Sequence, residues 1–241
     1  MALLPNRSGA ERYGAAAGTK AEIDQGLRSY MLKVYNYMAS AVALSGIVAY
    51  LVASSPTALQ MIHGTPLKWV VMFAPLGMVF FLSARMHKMS LFAAQASFWV
   101  FAALMGTSLS YILLAYTGES IVRVFLITAV SFGGLSLVGY TTKKNLSGMG
   151  SFLMMGLIGI IVASVVNIFM QSGMMQFIIS VVGVLVFAGL TAYDTQQIKN
   201  MYMESDGTAV MGKKAVMGAL RLYLDFINLF IMLLSLFGNR N

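Results

Sequence analysis

The stretch Gly150-Ser-Phe-Leu-Met-Met-Gly-Leu-Ile-Gly-Ile-Ile-Val-Ala-Ser-Val-Val-Asn-Ile-Phe-Met170 carries no charged residue. As an α-helix at 1.5 Å per residue it is about 30 Å long, the thickness of a bilayer's hydrocarbon core. A membrane strand would alternate polar and apolar residues; this run is continuously apolar, so a closed β-barrel is set aside. The remaining competitor is a core helix of a soluble domain, and composition removes it. Of 241 residues, 59% are hydrophobic and 10% charged, with a mean hydropathy of +0.78. Ordinary domains carry about a quarter charged residues. Too little polar surface is available to coat a soluble monomer of this size. The chain therefore reads as an all-α, polytopic membrane protein.

Outward from this run, six further apolar segments are long enough to span: 34–54, 67–84, 90–116, 120–140, 174–198 and 218–237. The 90–116 segment exceeds a single crossing and is accommodated by tilt or protrusion. Short breaks with turn chemistry separate the segments: Ser55-Pro56, Gly64-Thr65-Pro66, Thr117-Gly118, Ser147-Gly148 and Ser172-Gly173. Residues 199–217 read as the one longer polar loop. Residues 1–33 read as a flexible or surface-lying arm, and 34–241 as a seven-helix transmembrane domain. No short apolar core with a cleavage site occurs near the start, so no secretory signal is expected.

The net charge of +8 would suggest nucleic acid in a soluble protein. Here it records insertion topology, and no nucleic-acid partner is expected. With the N-terminus inside, twelve basic residues fall on the cytoplasmic side: five in the arm, then Arg85, Lys88, Lys143, Lys144, Lys199, Lys213 and Lys214. Three fall outside: Lys68, Arg123 and Arg240. The seventh segment is the weak point, because it contains Arg221 and Asp225; a re-entrant segment would return the C-terminus to the cytoplasm. Glycines within the spans (Gly133, Gly134, Gly139, Gly156, Gly159, Gly183 and Gly189) read as sites of close helix packing. The twenty methionines read as gap-fillers.

Cysteine is absent, which excludes disulfides, thiolate metal sites and cysteine nucleophiles. His63 and His87 fall at opposite faces and make no metal pair. No H-E-x-x-H, P-loop, dinucleotide or Gly-x-Gly-Asp pattern occurs, so no enzymatic activity and no cofactor are expected.

Two carboxylates remain inside apolar runs. Asp194 lies in Thr191-Ala-Tyr-Asp-Thr-Gln-Gln-Ile-Lys199, and Asp225 in Leu222-Tyr-Leu-Asp-Phe-Ile-Asn-Leu-Phe230. A carboxylate in hydrocarbon costs about 2.5–3.5 kcal/mol even on lenient scales, so both should face the bundle interior. Asp194 lies about 6 Å from the inner end of its segment at Ile198, and Asp225 about 10 Å from Gly218. At such similar heights on consecutive antiparallel helices, the two can meet and share protonation, a pH-sensitive element without histidine. Asn228 and Arg221 fall on the face of Asp225. Tyr193, Thr195 and Gln197 place polar groups around Asp194. Arg85, at the inner end of the second span, reaches the same mouth. An arginine paired with one carboxylate would be a latch that protons release. A purely structural reading is equally open: Asp225 pairs with Arg221 to let a marginal helix insert, Asp194 serves the interface, and Arg85 is a topology anchor.

At these motifs the sequence resembles the Bax inhibitor family, most closely its bacterial inner-membrane branch. Further matching segments are Tyr140-Thr-Thr-Lys-Lys-Asn-Leu-Ser147, Ala163-Ser-Val-Val-Asn-Ile-Phe169 and Phe237-Gly-Asn-Arg240, and the resemblance runs from about residue 28 to the C-terminus. It implies a seven-helix bundle with the last helix central. It also implies a pH-sensitive calcium leak in the bacterial inner membrane, gated by Asp194 and Asp225 with Arg85 as the basic latch. Some calcium-leaking relatives carry a glutamate in the second span; residues 67–84 here contain none. Calcium prefers six to eight oxygen ligands, so the two aspartates would offer only a weak, transient site, suited to a permeant ion. The expected partners are thus the lipid bilayer, calcium ions and protons. Two other readings are a non-conducting adaptor that modulates a membrane protease or stress response, docking a membrane protein through the arm and the 199–217 loop, and a proton-coupled cation transporter.

Overall fold

A computed structural model of the chain describes residues 8–241, with side chains from residue 24 onward except that of His63. The described chain is helical throughout: α1 (Ser8–Ala53), α2 (Pro56–His63), α3 (Leu67–Arg85), α4 (Leu91–Ala115), α5 (Gly118–Thr141), α6 (Ser147–Met170), α7 (Gly173–Asn200) and α8 (Thr208–Phe237). A single 3₁₀ turn, Met86–Lys88, extends α3. Seven helices, all but the short α2, are long and apolar enough to cross a membrane. The outer surface is apolar: Phe92, Val130, Phe152 and Phe169 are among many large side chains left exposed, as a lipid-facing belt requires.

Helix starts follow the turn chemistry. The side chains of Ser55, Ser90, Thr117 and Ser172 accept hydrogen bonds from the backbone N–H of Ala58, Ala93, Ser120 and Met175, each capping its helix. Pro56 occupies the first turn of α2, where its missing N–H costs nothing.

Two boundaries differ from the sequence reading. Residues 1–7 of the expected arm lie outside the described residues, but the rest of it belongs to α1, and Tyr30 and Met31 are buried in the bundle. The cause is periodicity. Tyr30, Val34, Met38, Ala41, Ser45 and Ala49 form one buried stripe at helical spacing, which begins before the apolar run becomes continuous. The 199–217 loop is likewise shorter, because α8 starts at Thr208 and carries Lys213 and Lys214 within it. Gly212, Ala215, Val216 and Ala219 bury one side of this segment while the lysines keep their ammonium groups at the edge.

α8 is one uninterrupted helix of 30 residues, about 45 Å long, and is not re-entrant. More than half of its apolar segment (56%) is buried, against 11% for α3 and for α6, which lie at the periphery. It packs against α1, α4, α5 and α7. Phe226 meets Phe132 and Phe125 of α5 edge to face, with ring centroids 5.5 Å apart in each pair. Tyr223 is fully buried against α4 and α1: its ring meets Phe101 at 5.2 Å and its hydroxyl pairs with Ser45 Oγ at 2.7 Å. The C-terminal tail is fastened at the end of the bundle opposite Lys213. There Thr117 N donates to Asn239 O (3.0 Å), Asn239 N to Ser120 Oγ (3.0 Å) and Asn241 N to Ala115 O (3.1 Å).

The glycines divide. A Cβ at Gly139 would run into Ala192 of α7, and one at Gly156 or Gly189 would meet Val186 or Leu153 across the α6–α7 contact. One at Gly183 would meet Met232 of α8. Gly133, Gly134 and Gly159 face open space and serve no close approach.

Candidate functional site

α7 and α8 are packed side by side, and their contact brings Asp194 and Asp225 together. The two carboxyl groups face each other at hydrogen-bonding range. Asp225 is 5% exposed, and its Oδ2 has no hydrogen-bond partner. Two ionised carboxylates can only accept, so neither can satisfy the other. The similar height expected from sequence is realised, although α8 begins ten residues earlier than the apolar run suggested. Asp225 therefore sits deep in its helix, while Asp194 lies six residues before the end of α7.

The cation beside the pair is Arg221. Its Nη1 is 3.9 Å from Asp194 Oδ1, with side-chain exposures of 46% and 16%. Arg221 thus reaches across from α8 to Asp194 rather than along its own helix to Asp225. Arg85 is exposed at the end of α3, and its side chain pairs with neither carboxylate. Besides Arg221–Asp194, the described residues contain one other ion pair, Lys214–Asp206 at 2.6 Å.

The other residues singled out from sequence make their contacts elsewhere. Tyr193 packs on Gly150 of α6. Thr195 Oγ1 donates to Ser136 Oγ of α5 at 3.3 Å, and Gln197 Nε2 to Ser147 Oγ of α6 at 3.2 Å. The Asn228 amide donates back to the Leu224 carbonyl at 2.8 Å and faces a different cavity, lined also by Pro75, Ser108 and Ser164. Thr195 and Gln197 thus tie α7 to α5 and α6, whereas the Asn228 bond stays within α8.

Gln196 was not legible as a site residue, yet it is buried two positions from Asp194. Its Nε2 donates to the Lys144 carbonyl and its Oε1 accepts from Leu146 N, both at 2.8 Å. Lys199 Nζ donates to the Tyr140 carbonyl at 2.7 Å. Together they bind the α5–α6 turn to the end of α7. The signal for Gln196 was its register: it follows Ala192 by one helical turn on the buried face, whereas Gln197 does not. Among the described residues no three His, Asp or Glu side chains gather.

Fold and site define a class: a multi-pass helical membrane protein with a buried carboxyl pair on two adjacent spans. The chain belongs to the Bax inhibitor family, the family described as Inhibitor of apoptosis-promoting Bax1 matching residues 27–241. It is 44% identical over 218 residues to the inner membrane protein YbhL of Escherichia coli, covering 89% of this chain and 93% of YbhL. It is 48% identical over 217 residues to the protein RP147 of Rickettsia prowazekii, covering 90% and 92%. A Caulobacter vibrioides protein is 49% identical over 226 residues, with 90% of each chain covered.

Proposed function

We propose that the protein is a pH-sensitive calcium leak of the inner membrane, with its N-terminus in the cytoplasm, and that it acts without enzymatic chemistry or a resident cofactor. The observation that carries this reading is the meeting of Asp194 and Asp225 inside the bundle with Arg221 alongside. An unpartnered carboxyl oxygen in an apolar interior, here Asp225 Oδ2, is costly, and ionisable groups at depth in a membrane mark ion and proton pathways. Two carboxylates give a passing divalent cation a weak, brief resting place, and weak binding lets an ion leave as readily as it enters.

The sign of the pH response follows from the geometry. The Arg221–Asp194 contact exists only while Asp194 is ionised. Acidification protonates it, releases Arg221 and loosens the end of α7 against α8. The latch is therefore Arg221 in this reading, the role the family resemblance assigned to Arg85. Calcium leak should rise as pH falls. Liposomes containing the purified protein and a calcium dye test this. A pH-dependent leak above that of empty liposomes supports the reading, and a rate equal to empty liposomes at every pH rejects it.

A further inference from the structure

A second feature, at the basic end of the bundle, lies outside the carboxyl pair. Between α3 and α8 is a cavity of about 570 Å³, within the size range of ordinary ligand sites. α3 packs mainly on α4, and chiefly its terminal 3₁₀ turn reaches α8, so the two helices leave a cleft between them. One face of α8 lines it through Lys213, Met217, Arg221 and Leu224, spaced at about one helical turn. Val79, Ser83 and Met86 line it from the other side.

Its charges are unevenly matched. Lys214 is engaged by Asp206 at 2.6 Å and by the Met201 carbonyl at 2.9 Å. Lys213 has no carboxylate partner among the described residues; its ammonium makes only a 3.4 Å contact with the His87 carbonyl. Arg221 has a single long contact with Asp194, and its side chain is nearly half exposed. Two cationic groups thus stand at the wall with donors to spare. Beyond them the lining turns apolar, and at Val79 and Leu224 it meets the neighbouring cavity of about 560 Å³, lined mostly by Met, Leu, Ile and Val.

We propose that this cleft binds an anionic phospholipid, with its phosphate between Lys213 and Arg221 and an acyl chain along the α3–α8 groove. The gradient of the lining selects this occupant. A free phosphate would use the cationic end and leave the apolar groove empty, whereas a zwitterionic lipid would fill the groove and bring its own cation to the lysine. Basic pockets between spans at one membrane face hold anionic headgroups by this combination. The site shares Arg221 with the proposed gate; its test reads lipid retention and not conduction, so it can fail or succeed whatever the leak does.

The test is native mass spectrometry of the detergent-solubilised full chain, titrated with phosphatidylglycerol, phosphatidylcholine or soluble glycerol phosphate. Phosphatidylglycerol should be retained about tenfold more tightly than either. Lys213→Gln should weaken it about fivefold, as expected for one interfacial charge, while Lys213→Arg retains it. Lys143→Gln, which removes an exposed charge at the same end of the bundle, should change nothing. Equal retention of the two lipids, or equal losses for Lys213→Gln and Lys143→Gln, would overturn the site. Glycerol phosphate binding as tightly as phosphatidylglycerol would overturn the lipid assignment in favour of a soluble phosphate.

Discussion

Gly139→Ala lowers the unfolding midpoint of the purified protein, and Gly134→Ala, five residues earlier on the same helix, does not. In an isolated helix both changes would help, because alanine favours helix over glycine by about 1 kcal/mol. The difference lies in what a methyl group meets. At Gly134 it finds open space. At Gly139 it would lie 2.9 Å from the carbonyl carbon of Ala192 and 3.0 Å from its Cα, with the carbonyl oxygen closer still. These are backbone atoms, which cannot rotate away as a side chain can, so α5 and α7 must separate. Overpacking of this kind costs about 1–3 kcal/mol, or several degrees in midpoint for a chain of this size. Ala192 is two residues from Asp194, so the same substitution also displaces the carboxyl pair. A thermal melt of the two variants in one detergent reads the sign directly.

If the protein is the proposed pH-sensitive leak, Arg221→Gln should raise the calcium leak at neutral pH and shrink its further rise on acidification. The half-exposed Arg221–Asp194 contact is worth up to about 1 kcal/mol, a shift of up to about fivefold in the closed-to-open ratio. Arg85→Gln should leave the pH response in place, since Arg85 is exposed and pairs with neither carboxylate. Dye-loaded liposomes carrying each variant separate the two arginines. Insensitivity of the leak to Arg221→Gln, with loss of the pH response in Arg85→Gln, would return the latch to α3.

Much of the architecture was legible because burial in lipid demands long apolar runs, and hydropathy reads these without tertiary information. Boundaries were harder where amphipathic ends continue a helix past its apolar run. Tyr30 and Met31 are buried by helical periodicity rather than by a hydrophobic stretch, and Lys213 and Lys214 interrupt the hydropathy of α8 without interrupting its backbone. The two aspartates were visible as ionisable residues at depth, and their meeting follows from antiparallel neighbours of similar height. The arginine was not settled by spacing. Arg221 falls on the face of Asp225 in a helical projection, but its long side chain crosses to Asp194 on the neighbouring helix. Arg85 has the same charge at a comparable depth, and nothing in a one-dimensional pattern says that α3 lies at the periphery. Gln196 and Gln197 pose the same problem in miniature. Adjacent identical residues reach the same stretch, Gln196 buried on the Lys144 and Leu146 backbone and Gln197 on the exposed Ser147 hydroxyl, and only the rotation of α7 decides which one is buried in the α5–α6 turn.

In the proposed function Asp194 and Asp225 act as one titrating unit that controls permeation. The most direct measurement is the pH dependence of calcium leak in liposomes for Asp194→Asn, Asp225→Asn and the double variant. If the pair is the unit, each single change abolishes the pH response and the double variant does no more, the non-additivity expected of directly coupled residues. If either single variant keeps the full pH response, or if the two effects simply add, the aspartates act separately and the account is contradicted.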